Sequence, residues 1–135
     1  MISGRIDHTA IVVRDLDEAI GRYGAIFRFD KVDRRRVPDQ QVEVAFLSFS
    51  DTSLELVSPL DASSGVARFL QDRGEGLHHI GIAVDDLESE LSRLAAEGVE
   101  LIDARPRLGV HGRIAFIHPR AVGGVLIELV EHDRH

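Results

Sequence analysis

The sequence predicts an α+β domain: two tandem βαβββ modules forming a curved, partly closed sheet around a metal site, with the helices outside. Three observations carry this expectation. Ile6–Tyr23 (IDHTAIVVRDLDEAIGRY) aligns without gaps on Leu77–Leu94 (LHHIGIAVDDLESELSRL) at a constant offset of 71. Each copy passes from alternating to helical apolar spacing at an aspartate, Asp15 and then Asp86. Histidines and glutamates recur at equivalent places, His8 with His79 and Glu55 with Glu128.

In the first copy the strand IDHTAIVV runs into a helix whose start is marked by Asp15, with Glu18 completing a capping-box pattern. Leu16, Ala19, Ile20, Tyr23, Ile26 and Phe27 form its apolar stripe. QVEVAFLSF and SLELV then flank the turn Ser50-Asp51-Thr52 and read as a hairpin. Ser64–Arg73 carries Val66, Phe69 and Leu70 at helical spacing before Gly74, so the halves are joined by a short helix. The second copy repeats the plan. Its helix presents Leu87, Leu91, Leu94 and Ala95 and stops at Gly98. EVAFL (residues 43–47) falls on RIAFI (113–117) at an offset of 70, and LELV (54–57) on IELV (127–130) at 73, with a longer hairpin loop, Pro119–Gly124. We therefore expect one domain over residues 1–135, made of two repeats at about 5–60 and 77–131. A lone module would leave one face of its sheet bare, so the two sheets are expected to close on each other around a cleft.

Composition narrows the function. A chain of 135 residues with 44% apolar and 29% charged residues supports a core without staples, and no stretch approaches a membrane span. The start of the chain has no secretory pattern and there is no cysteine, which predicts a cytoplasmic protein with neither disulfides nor thiolate ligands. Net charge is −7, and the 15 arginines form no basic tract beyond Arg34-Arg35-Arg36, so nucleic acid is a poor partner. Seven histidines without cysteine leave His, Asp and Glu as ligands for imidazole-tolerant divalent ions.

Taken singly, each of His8, Glu55, His79 and Glu128 reads as a satisfied core histidine or a solvent-facing strand glutamate. Together, two His and two Glu related by the repeat converge on one place, and their summed charge balances a divalent ion. Nitrogen and oxygen donors without sulfur suit a first-row metal of high coordination number, with positions left for water or substrate. His78 adjoins His79, but successive strand residues face opposite ways, so only His79 joins His8. His111, His118, His132 and His135 have no partner under the repeat and are not expected to be ligands. Glu43 interrupts an apolar strand, and its repeat partner is Arg113 rather than an acid, which suggests a chemical role. The bland alternative is an edge glutamate facing solvent. By alternation Glu43 shares a face with Ala45 and Leu47, and small Ala45 would leave room for a ligand.

Paired βαβββ modules with His and Glu on matching strands resemble the vicinal oxygen chelate superfamily, which includes glyoxalases, extradiol dioxygenases, antibiotic-resistance proteins and epimerases. The resemblance covers nearly the whole chain. Within it, IDHTAIVV, SLELVSPLDASSGVARFLQDRGEGLHHIGIAVDD and RLGVHGRIAFIHPRAVGGVLIELVE are similar to the methylmalonyl-CoA epimerase family. The resemblance implies His8, Glu55, His79 and Glu128 as ligands of a divalent metal such as cobalt, manganese, nickel or zinc. It also implies Glu43 and Glu128 as proton-transferring groups, an acyl-CoA substrate epimerised at C2 through a metal-stabilised enolate, and a homodimer. The rivals are a lactoylglutathione lyase, an extradiol dioxygenase, and a drug-binding protein of the same fold. The last calls for an aromatic-lined cleft, against which stand 5% aromatic residues and no tryptophan.

Overall fold

The computed structural model describes residues 4–29 and 31–133. His135 lies outside them. The described residues fall into two compact units, one of residues 9–78 (the N-terminal unit) and one of residues 4–8 with 79–133 (the C-terminal unit).

The N-terminal unit takes most of its chain from the first copy. The later part of strand β1 (Arg5–Val12) leads into helix α1 (Leu16–Phe27), followed by β2 (Asp33–Val37), β3 (Val42–Ser48), β4 (Ser53–Pro59) and helix α2 (Gly65–Arg73). Its strands lie in the order β2-β3-β4-β1. The Asp15 carboxylate accepts from the Glu18 N–H at 3.0 Å, the cap expected from the sequence, and the Ser64 hydroxyl does the same for α2. Antiparallel β3 and β4 pair from Val42↔Pro59 to Ser48↔Ser53. Ala45, Leu47 and Leu56 pack with Val13, Leu16 and Ala19 into the unit's core, so that face of the hairpin looks at α1. Burial of a leucine side chain such as Leu47 contributes about 1.5–3 kcal/mol. The α1 stripe is only partly buried. Ile26 and Phe27 remain 70% and 50% exposed, because the last turn overhangs the core and Phe27 instead meets Phe29 and Phe49, ring against ring.

The C-terminal unit is built on the same plan. β5 (Gly76–Ala83), which begins in the other unit, leads into α3 (Leu87–Ala96), and β6 (Arg107–Leu108), β7 (Gly112–Ile117) and β8 (Leu126–His132) follow, with strand order β5-β8-β7-β6. Asp86 caps α3 by accepting from the Ser89 N–H, and Gly98 stands just beyond its end at φ +80. Val84, Leu87, Leu91, Leu94, Ala115, Ile117 and Leu129 form the core. Ala95, expected on the apolar stripe, is exposed instead, one position round the helix from Leu94. β5 and β8 are parallel, with Gly81 opposite Glu128, and antiparallel β7 and β8 place Phe116 opposite Glu128. Ala115, Ile117 and Leu129 face α3, so Phe116 and Glu128 point away from the helix.

Candidate metal centre

Three of the four expected ligands come together in the C-terminal unit. His8 stands at the end of the β1 segment that belongs to this unit, His79 on β5 and Glu128 on β8. One donor atom from each lies within 4.8 Å of the others. His8 Nε2 is 2.7 Å from Glu128 Oε1 and 3.1 Å from His79 Nε2, and His79 Nε2 is 3.1 Å from the same Oε1. His8 is 5% exposed and Glu128 6%. Burial by itself would raise the Glu128 carboxyl, but hydrogen bonds from His79 and His8, and their charge, hold it down at about 2.

This donor set fits a cation. Two imidazole nitrogens and a carboxylate oxygen facing one another in a buried pocket repel through their lone pairs unless positive charge sits among them. Protons can supply that charge, and so can a divalent metal, for which two His and one carboxylate are borderline ligands suited to zinc, cobalt, nickel, manganese or iron. Among the described residues no second grouping of this kind is found.

Two neighbours shape the cluster and were not singled out by the sequence reading. A Cβ built on Gly81 would lie 2.2–2.7 Å from the His8 ring atoms, so the imidazole occupies the space a side chain would take. The available signal was the small residue two places after His79. Asp7, 11% exposed, places Oδ2 2.8 Å from His8 Nδ1 and also binds His132 and Arg5. Burial would raise its carboxyl, but bonds to His8 and His132 bring it down to about 2.

The other two glutamates stand on the N-terminal unit, on opposite faces of one hairpin. Glu55 is half-buried and pairs with Phe46 across β3–β4, the face turned away from α1. Glu43 lies on the α1 side with Ala45 and Leu47. The room expected beside Ala45 is absent, since Ala45 is fully buried in the α1 core. Glu43 Oε1 instead meets Arg34 Nη2 at 3.3 Å, and Arg34 reaches Asp17 in the first turn of α1. His118 is spoken for locally, its Nδ1 accepting from the Arg120 N–H at 3.1 Å. His111 stacks on His132.

A sequence profile of the glyoxalase/bleomycin resistance protein/dioxygenase superfamily matches residues 7–116. The ethylmalonyl-CoA/methylmalonyl-CoA epimerase of Cereibacter sphaeroides is 34% identical over 129 residues, covering 93% of this chain and 96% of that one. The crystal structure of methylmalonyl-CoA epimerase from Mycobacterium tuberculosis superposes with a TM-score of 0.90 at 38% identity, covering 99% of this chain and 94% of that one. A Streptomyces coelicolor methylmalonyl-CoA epimerase variant in complex with 2-nitronate-propionyl-CoA gives 0.90 at 33% identity, covering 99% and 100%.

Proposed function

Since the chain belongs to the glyoxalase/bleomycin resistance protein/dioxygenase superfamily, we propose that it is a divalent-metal-dependent epimerase interconverting the (R) and (S) forms of methylmalonyl-CoA. The observation that carries the reading is the convergence of His8, His79 and Glu128 within 4.8 Å in a chain about a third identical to such epimerases over nearly its whole length.

The reaction removes a proton from C2, flanked by a thioester and a carboxylate, and returns one to the opposite face. A cation held by His8, His79 and Glu128 would supply positive charge where negative charge develops on the thioester oxygen. The histidines contribute neutral nitrogen donors, and Glu128 offsets the charge of the site. Burial keeps water away from these groups and strengthens their electrostatic effect. Glu55 is proposed as a fourth ligand on the strength of the repeat, which makes it the counterpart of Glu128.

Proton transfer was assigned from the resemblance to Glu43 and Glu128. We carry Glu43 as the base on one face of C2 and Glu128, or a water held by the cation, as the proton-exchanging group on the other, with the proton affinity of Glu128 lowered by its two histidine neighbours. Glu43 also meets Arg34 at 3.3 Å, and the Glu43→Gln variant separates that ion pair from proton transfer. A cytoplasmic location and a homodimer complete the reading.

Purified protein incubated with (R)-methylmalonyl-CoA in deuterated water should place deuterium at C2 as the epimers equilibrate. A chelator should stop this, and cobalt, manganese or nickel should restore it. Failure to epimerise while isomerising the glutathione hemithioacetal of methylglyoxal would replace the reading with a glyoxalase.

A further inference from the structure

A histidine ligand can present either ring nitrogen, and the choice belongs to whatever the other nitrogen binds. For His8 the neighbour is Asp7. Asp7 Oδ2 lies 2.8 Å from His8 Nδ1, while His8 Nε2 points at Glu128 Oε1 and His79 Nε2, 2.7 and 3.1 Å away. An ionised carboxylate only accepts hydrogen bonds, so the Nδ1 that faces Asp7 carries a proton, and the Nε2 side, shared with Glu128 and His79, is where a cation would take the place of a proton. The carboxylate is itself held from its other oxygen, since Asp7 Oδ1 takes Arg5 Nη2 at 3.1 Å and His132 Nε2. The ring also lies over Gly81, in the space that a Cβ there would fill.

We propose that Asp7, braced by His132 and Arg5, is a positioning residue that holds a proton on His8 Nδ1 and so leaves Nε2 as the nitrogen presented to a cation. The brace crosses the unit from one end of its chain to the other, joining residues 125 apart in sequence. It also breaks the repeat, which sets His78 at the place equivalent to Asp7; the His78 ring packs edge-on against Phe69, 5.1 Å between centroids. The inference rests on the cation reading of this site, and its test separates the two.

The first measurement is long-range nitrogen–proton NMR on the imidazoles of the cation-free wild type, where His8 should carry a proton on Nδ1. Finding the Nε2–H tautomer in the wild type overturns the proposal, whatever any variant does. In Asp7→Ala, and less completely in Asp7→Asn, whose amide oxygen still accepts, the proton on Nδ1 should be only partly retained. Equilibrium dialysis against cobalt should then show affinity reduced about 10- to 100-fold in Asp7→Ala and by a smaller factor in His132→Ala, the range typical of groups that orient a metal-bound histidine. Wild type that binds cobalt while Asp7→Ala binds it equally well with an unchanged tautomer overturns the inference and leaves the cation site standing. Wild type that binds no cobalt, with a tautomer that still depends on Asp7, supports the positioning role and removes the cation reading instead.

Discussion

The β3–β4 and β7–β8 hairpins were built on one plan and put to different uses. Both set a phenylalanine opposite a glutamate, Phe46↔Glu55 in one and Phe116↔Glu128 in the other, on the face turned away from the unit's helix. On the opposite face both tie a strand residue to the first turn of that helix. Arg113 on β7 reaches Glu88 of α3 at 2.7 Å. Its repeat counterpart Glu43 cannot bind Asp17, the counterpart of Glu88, because both are acids. Arg34 from β2 is placed between them and pairs with both. The missing acid at Arg113 is therefore a reversal of charge compensated by a third residue. The lesson is that a repeat can conserve the geometry of an electrostatic tie while exchanging the signs of its members.

The sharpest way to break this comparison is to remove the two equivalent glutamates in turn. Glu128→Ala takes away a buried oxygen that touches both imidazoles, so cobalt affinity measured by dialysis should fall by more than about 100-fold, beyond the loss usual for outer groups. Glu55→Ala should cost less. Equal losses would put the two hairpins on the same footing as ligand donors, and no loss in Glu128→Ala would remove the cluster from consideration.

A smaller effect should come from Gly81→Ala, which probes why a glycine stands opposite Glu128 on β5. The new methyl group would collide with the His8 ring, which is too buried to swing aside freely. We expect about 1–3 kcal/mol of destabilisation in urea unfolding, as for other overpacked sites, together with weaker cobalt binding. Unchanged stability and affinity would mean that the ring tolerates displacement.

The smallest effect on stability and cobalt affinity should be that of Glu43→Gln. If Glu43 is a partly exposed tie to Arg34, stability should drop by no more than about 1 kcal/mol, with metal content and turnover kept. A fall in turnover of about 100-fold with the cation retained would instead make Glu43 the base that the family resemblance assigns. That single variant decides whether the two hairpins differ in chemistry or only in charge.

Much of this architecture is written in apolar spacing, which depends on local backbone geometry and so is available before any tertiary contact is known. The offset of 71 gave the pairing of His8 with His79, the offset of 73 that of Glu55 with Glu128, and the capping aspartates gave the starts of α1 and α3. His8, His79 and Glu128 were legible because duplication repeats function along with fold. Periodicity states which residues share a face, however, and not what that face meets. Ala45 and Glu43 were correctly placed side by side, but only packing showed α1 over Ala45 and Arg34 at Glu43. Ala95 and the end of the α1 stripe were lost for the same reason, since a helix can run past the surface it covers. The brace of His132 and Arg5 on Asp7, and the room that Gly81 makes for the His8 ring, belong to tertiary structure alone. Each depends on strands distant in sequence being brought side by side, and no local propensity encodes a distance between such partners.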